Sequence, residues 1–185
     1  MSNNSAPFQS DPTFASADDA ASFVQTNLVS DLAGLATVTD ANLKNPWGVS
    51  FLSSPSGGSP FWISDQGSNL ATVYPVTDST VVSPAILTVH IPTTATGPQG
   101  PTGQVSNTNA SSFILSDGMS AHFIFADLNG TISAWNSGTT ASVEVTTPGA
   151  VYTGLAVNQA DTMLTPPTTA PGPSTSSTVC SPRST

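Results

Sequence analysis

From Asn27 onward the chain alternates short apolar runs with turn-forming residues. Runs rich in Val, Ile, Phe, Trp, Tyr and Thr are separated by Gly, Pro, Asn and Asp, and no window carries the 3.6-residue apolar stripe of an amphipathic helix. Runs of this composition, mostly about five residues long, favour strands. The pattern therefore predicts an all-β protein. The predicted strands are 47–51, 61–65, 71–76, 85–91, 112–116, 122–127, 131–136, 143–146 and 153–158.

Two segments lack this strand pattern. Residues 1–25 mix Ser, Asn, Ala, Asp and Pro with scattered Phe and show no sustained period, which predicts a flexible leader. Residues 93–109 are rich in Gly, Pro and Thr, and Gly does not recur at every third position, which predicts a surface loop rather than collagen. The domain itself is expected to occupy residues 26–164.

A β-hairpin pattern occurs twice in the chain. An apolar triplet, a small residue, an Asp, a turn and a second alternating strand follow one another from Phe61 and again from Phe123. Asp65 precedes the closing aromatic of the first copy by nine positions, and Asp127 precedes Trp135 of the second copy by eight. Repetition of one supersecondary unit indicates a repeat architecture.

A third copy begins at Val151, where Gly154-Leu155-Ala156-Val157 resembles Trp47-Gly48-Val49-Ser50, the strand before the first hairpin. Repeats of this kind predict a partial, truncated β-propeller of about two and a half to three blades of antiparallel strands. A partial ring leaves apolar blade faces uncovered, so we expect poor stability or aggregation of the chain alone.

Residues 165–185 do not continue the repeat. Their proline density is incompatible with paired strands and predicts a disordered tail. One interpretation is a natural disordered tail. The other is an out-of-frame product, because the adjacent reading frame permits the missing half of the third hairpin, with an asparagine at the position of Thr168. Sequencing of the gene and of the native transcript across this codon tests the second interpretation, which an intact frame with the same tail would refute.

The charge of the chain limits its partners. Two basic residues, Lys44 and Arg183, stand against eleven acidic ones, giving a formal net charge of -9. Such a chain cannot neutralise a run of phosphates, which excludes nucleic acid and disfavours anionic membranes. An unidentified protein or a glycan is the expected partner.

Composition also bears on location. Only 7% of residues are charged, and Ser, Thr and Asn supply most of the polar surface, which favours an extracellular or periplasmic protein. No secretory signal is recognisable at the N-terminus as given, no apolar run is long enough to span a membrane, and the single Cys180 carries no information about the compartment.

Two short motifs resemble the opening of a known family. The first consists of Asn45, Pro46, Trp47 and Gly48, and the second includes Phe61, Trp62 and Asp65. Together with the residues around them, they resemble an uncharacterised bacterial family of secreted β-propeller-like proteins related to the NHL-repeat class. The resemblance covers about residues 26–164, although Ser64 and Gln66 stand where Ala and Asn are expected. It implies a propeller of about twice this length, and no established activity comes with it.

Three aspartates are the candidate metal ligands. Asp40, Asp65 and Asp127 could supply carboxylates to a central calcium ion, as a metal-dependent propeller enzyme requires. The alternative is structural: an Asp leading into a Gly or Asn-Gly turn accepts backbone N–H groups of its own hairpin. The recurrence of Asp65 and Asp127 in successive repeats favours the structural interpretation.

Other chemistry-bearing residues give weaker signals. His90 and His122 lie at strand edges without a spaced ligand motif, and there is no GxSxG nucleophile motif. The three tryptophans, Trp47, Trp62 and Trp135, could stack on sugars, but their hairpin spacing favours a role in the core between blades. The sequence thus predicts a non-catalytic binding or structural module without a cofactor. The alternative is a fragment of a propeller-type hydrolase or lactonase with a central metal site, calcium in the full-length relative.

Overall fold

The computed structural model describes residues 25–52, 59–77, 82–94 and 97–158, together with the backbone of 177–182. These residues form strands and turns, with no helix among them. The predicted all-β class is therefore confirmed. The strands are β1 (Val29–Ser30), β2 (Val38–Thr39), β3 (Pro46–Ser50), β4 (Phe61–Asp65), β5 (Leu70–Tyr74), β6 (Leu87–His90), β7 (Pro101–Ser106), β8 (Phe123–Asp127), β9 (Thr131–Trp135), β10 (Ser142–Thr146), β11 (Tyr152–Asn158) and β12 (Ser177–Pro182).

Two four-stranded antiparallel sheets form the centre of the molecule. The first sheet has the order β3-β4-β5-β6 and the second the order β7-β8-β9-β10, so neighbours in each sheet are also neighbours in sequence. The predicted hairpin repeat is confirmed, since Phe61 pairs with Tyr74 in the first sheet and Phe123 pairs with Trp135 in the second. β1 pairs in parallel with β2, and β11 pairs antiparallel with β12.

The prediction of a surface loop over residues 93–109 is wrong in its second half. β7 lies there, and Pro101, Thr102, Gly103 and Gln104 are all buried. Pro101 occupies the first position of the strand, one of the few strand positions that proline tolerates. Gly103 is needed because another strand approaches its backbone closely. Both residues signal a loop by composition, while tertiary packing makes the segment a core strand.

The structure can also be compared with the predictions of a strand at 112–116, a flexible leader and a disordered tail. The strand predicted at 112–116 is absent, and Ile114 forms only an isolated bridge with Ser120. The predicted leader falls almost entirely outside the described residues. In the predicted tail, the backbone of Ser177–Pro182 forms a strand that supplies partners to the edge of β11, whereas the remaining tail residues lie outside the described part of the chain.

An aromatic core joins the two sheets. Trp62 of the first sheet stacks on Phe123 of the second, with ring centroids 4.0 Å apart and planes inclined by 20°. Trp135 packs against the same tryptophan at 4.6 Å. Aliphatic side chains of β5 and β6 and the ring of Phe125 complete this core. The two hairpins found in the sequence therefore bury each other, and neither sheet is an independent unit.

A second apolar cluster lies on the opposite face of the second sheet. Ile124, Ala126, Ile132 and Ala134 of this sheet pack with Tyr152 of β11. The second sheet is therefore covered on both faces, at least in part, as its buried strands β8 and β9 indicate. The first sheet, the second sheet and the β11-β12 pair therefore form three layers that follow one another along the chain.

The first strands of the three layers lie against one another, β3 on β7 and β7 on β11. Each has a glycine near its start: Gly48, Gly103 and Gly154. A Cβ added to Gly48 would lie 2.8 Å from the carbonyl oxygen of Thr102. A Cβ added to Gly103 would lie 2.5 Å from the carbonyl carbon of Gly154 and clash with the amide nitrogen of Leu155. Gly48 and Gly103 thus permit the close approach of β3, β7 and β11.

We predict that Gly103→Ala lowers the free energy of unfolding by about 1–3 kcal/mol, because the added methyl group pushes β7 away from β11. Gly154→Ala is the matched control, since a Cβ at Gly154 meets no atom within 4 Å. It should change the stability by less than about 0.5 kcal/mol. Urea unfolding of the two variants measures the contrast, and equal effects would contradict the close-packing account.

Candidate functional site

The same strand-entry turn precedes both four-stranded sheets. Asn45 (φ 48°) stands before Pro46, and Gly100 (φ 105°) stands before Pro101. The carbonyl oxygen of Asn45 accepts the amide of Gln66 at 3.3 Å, and that of Gly100 accepts the amide of Leu128 at 3.2 Å. The Asn45-Pro46 motif singled out in the sequence therefore forms a repeated turn, in which a positive φ is required.

Gln66 connects the two turns. Its Oε1 accepts a hydrogen bond from Nδ2 of Asn45 at 2.7 Å, and its Nε2 donates to the carbonyl oxygen of Gln99 at 2.6 Å. The backbone of Gly100 packs so closely on Gln66 that a Cβ at this position would clash with the Gln66 carbonyl. The side chain of Gln66 thus ties the entry of the second sheet to the first.

Asp127 lies buried at the end of β8, where backbone amides surround it. The amide of Gly100 donates to both carboxylate oxygens at 3.0 and 3.1 Å, and the amide of Asn129 donates to Oδ1 at 3.0 Å. The hydrogen bond from the amide of Asn129 closes an Asx turn. Burial raises the pKa of Asp127, and the two amides act in the opposite direction. At this position the geometry agrees with the structural interpretation of the sequence.

Asp65 occupies the equivalent position in the first sheet but has different partners. Its Oδ2 accepts the hydroxyl of Thr72 at 2.7 Å, while Oδ1 is buried without a hydrogen-bond partner. Burial is the main cause that raises the pKa of Asp65 to about 7; the Thr72 hydrogen bond lowers it and the negative charge of Asp40 raises it further. We expected Asp65 to accept backbone amides of its own turn. Instead, its carboxylate accepts the hydroxyl of Thr72 on the opposite strand of the hairpin.

Asp40 lies near this buried carboxyl group. Its Oδ2 accepts the hydroxyl of Tyr74 at 2.8 Å, and its Oδ1 accepts the amide of Asn42 at 2.9 Å. Burial raises the pKa of Tyr74, and the adjacent charges of Asp40 and Asp65 raise it further. The first sheet therefore carries a small acidic cluster, Asp40, Asp65, Thr72 and Tyr74, to which Asp127 of the second sheet does not belong.

An apolar groove of about 630 Å³ opens on the face of the first sheet that bears Tyr74. Phe61 and Ile63 of β4 form part of its floor, and residues 26–30 form part of its wall. Phe61 is partly exposed and meets Phe51 edge to face, with ring centroids 5.6 Å apart. The groove has the size and apolar lining of a ligand pocket. Sequence reasoning missed it because the wall comes from a segment with no strong strand pattern.

A buried glutamine, also missed by sequence reasoning, links the two sheets. Nε2 of Gln104 donates to Oγ of Ser50 at 2.6 Å and to the carbonyl oxygen of Trp62 at 3.0 Å. Its Oε1 accepts the hydroxyl of Ser64 at 2.8 Å. No sequence signal marks this residue, since it lies in the segment predicted as a loop.

The remaining candidate residues do not converge on a reactive centre. Trp62 and Trp135 contribute to the core between the sheets, whereas Trp47 is 48% exposed on β3. His90 and His122 are both exposed, and the ring of His122 meets Trp135 edge to face. Across residues 25–52, 59–77, 82–94 and 97–158, no three His, Cys, Asp or Glu side chains come together as metal ligands.

Comparison with known proteins adds no relative. A scan against protein-family models, a search of curated proteins and a search of solved structures each find no match for this chain. The resemblance seen in the sequence stays a prediction, and function is argued from the residues.

We predict that Asp65→Asn changes the pH dependence of stability. Between pH about 4 and about 7, folded Asp65 keeps a proton that the unfolded chain has released, so its contribution to stability falls as pH rises through this window. The slope is at most about 1.4 kcal/mol per pH unit. The variant lacks this slope and should gain stability relative to the parent protein up to pH about 7, with no further gain above it.

Asp117→Asn is the control for this experiment. Asp117 is exposed, and hydrogen bonds from Asn136 and Met119 lower its pKa, so it does not titrate between pH 5 and 8. Urea unfolding at a series of pH values provides the readout. Parallel profiles of Asp65→Asn and the parent protein from pH 4 to 8 would contradict the assignment.

Proposed function

We propose that the chain is a non-catalytic binding or structural module, built as part of a β-propeller and acting outside the cytoplasm. The observation that carries the proposal is the packing of β3, β7 and β11, the first strands of successive layers. This packing supports the proposal, because the blades of a propeller are consecutive antiparallel sheets whose first strands lie side by side. The repeated entry turns at Asn45 and Gly100 support the same interpretation.

The polar residues of the repeat support a structural role. Asp127 satisfies the backbone at the entry of the second sheet, and Gln104 satisfies a backbone carbonyl and two hydroxyl groups between the sheets. Buried polar groups require such partners, because an unpaired group costs roughly 1–3 kcal/mol. The hydrogen-bonding groups of Asp127 and Gln104 therefore stabilise the sheets, which supports a structural role for both residues.

The surface supports an extracytoplasmic binding partner. The net charge of -9 and the 7% of charged residues are typical of neither nucleic-acid nor anionic-membrane binding. In the described part of the chain, no helix is long and apolar enough to cross a membrane. Trp47 offers a half-exposed aromatic face to a sugar, and the groove on the first sheet offers an apolar surface to a protein.

A metal-dependent hydrolase or lactonase is the second candidate, and one observation favours it. Oδ1 of Asp65 is a buried carboxylate oxygen without a partner, and the charge of Asp40 lies nearby. Oxygen ligands of this type suit calcium. Asp127 fits less well, because both of its oxygens already accept amide hydrogens. Asp40 fits less well for the same reason, because its Oδ1 accepts the amide of Asn42 and its Oδ2 accepts the hydroxyl of Tyr74. Of the three aspartates, Asp65 is the one with a carboxylate oxygen that no hydrogen bond occupies.

We predict that millimolar calcium leaves the melting temperature of the protein unchanged, because no three acidic or histidine side chains come together as ligands among the described residues. Differential scanning calorimetry with calcium, with magnesium and with a chelator provides the measurement. A rise in melting temperature that calcium produces, the chelator abolishes and Asp65→Asn lacks would favour the metal-dependent enzyme instead.

A further inference from the structure

Equivalent faces of the two sheets differ in how well they are covered. We use the term leading face for the side of each sheet that bears the first residue of its hairpin, Phe123 in the second sheet and Phe61 in the first. The leading face of the second sheet packs on the first sheet, and Phe123 is 2% exposed there. On the leading face of the first sheet Phe61 is 38% exposed, and the neighbouring Val49 is 57% exposed.

The structure shows what kind of surface covers a leading face. The opposite side, here called the trailing face, carries Trp62, Ala71, Val73 and Val89 in the first sheet, and these residues pack on Phe123. A leading face is thus covered by the aromatic ring of Trp62 together with small and aliphatic side chains of a preceding four-stranded sheet. The leading face of the first sheet also begins with an aromatic residue, Phe61, and a surface of the same kind would cover it.

The chain carries a second, partly open trailing face. In the second sheet this face bears Ile124, Ala126, Ile132 and Ala134, and β11 covers part of it. The remainder is a groove of about 340 Å³ in which Val145 is 51% exposed. Among the described residues, each molecule therefore presents one partly open leading face and one partly open trailing surface.

We propose that a second copy of this chain covers the leading face of the first sheet with its trailing surface, in a head-to-tail association. The inference rests on the proposed sheet-by-sheet packing, and it continues the interface that already joins the two sheets within one molecule. Because the two surfaces differ, the contact is heterologous, and a dimer formed in this way keeps one free surface of each kind.

The charges of the two surfaces are compatible with this contact. None of the described residues that line the leading-face groove is charged, and Lys44, one of two basic residues in the chain, is exposed beside its lining residue Leu43. Glu144 lines the trailing groove. Asp40, which accepts the hydroxyl of the lining residue Tyr74, places an acidic group beside the leading-face groove as well, so the association should strengthen when salt screens these charges.

Sedimentation velocity of the full chain over a range of concentrations tests the proposal. The parent protein should shift from monomer to dimer and larger species as concentration rises. Phe61→Ser removes an aromatic contact from the leading face, and Val145→Lys places a charge on the trailing surface. Each variant alone should weaken association by about tenfold or more. Met119→Ser is the control, because Met119 is 64% exposed but lines neither groove.

Mixing the two variants distinguishes this geometry from others. Each variant retains the surface that the other lacks, so an equimolar mixture should form a heterodimer and nothing larger. A parent protein that stays monomeric at all concentrations, or a Val145→Lys variant that self-associates as tightly as the parent, would overturn the proposal. The first result would leave the sheet packing within the molecule intact, which the contrast of Gly103 with Gly154 tests separately.

Near-UV circular dichroism shows whether each variant keeps the parent fold. Should Phe61→Ser lower the melting temperature, Val49→Ser removes apolar surface from the same face at a more exposed position. Failure of this second variant to weaken association would count against the leading face as the contact.

Discussion

Close contact between the first strands of successive layers is the constraint on which the rest of the structure depends. Gly48 and Gly103 allow β3, β7 and β11 to approach until backbone meets backbone. At this distance the sheets can bring Trp62 onto Phe123 and bury a glutamine between them. A side chain at either glycine would separate the layers and uncover the aromatic core. The fold is therefore held as a series of layers rather than by any one sheet.

The two repeated aspartates show how local hydrogen-bond partners determine the environment of a residue. Asp127 accepts the amide of Gly100, which directly precedes β7 of the same sheet, and the amide of Asn129 in its own hairpin turn. Asp65 has the same place in its hairpin, yet it pairs with Thr72 and retains a buried oxygen without a partner. Its raised pKa follows from this environment. Burial raises the pKa of both aspartates, so equivalent positions in the repeat differ in the hydrogen-bond partners of their carboxylates rather than in burial.

The sequence allowed the prediction of features that depend on local pattern. Alternating residues and the Asp-containing turns predicted both hairpins, and the register from Phe61 to Tyr74 and from Phe123 to Trp135 confirms them. It did not allow the prediction of β7, because Pro101 and Gly103 indicate a loop until the adjacent strands are known. The groove and the role of Gln104 were missed for the same reason: both are formed by segments distant in sequence, without a local signal.

A double-mutant cycle on Gln104 and Ser64 tests the central claim most directly, because their side chains meet only if β7 of the second sheet lies against β4 of the first. Gln104→Leu, Ser64→Ala and the double variant would be compared with the parent protein by urea unfolding. The account predicts an interaction free energy between about 0.5 and 3 kcal/mol, the range found for residues in direct contact. Additive effects, within about 0.3 kcal/mol, would mean that the two sheets do not meet as described.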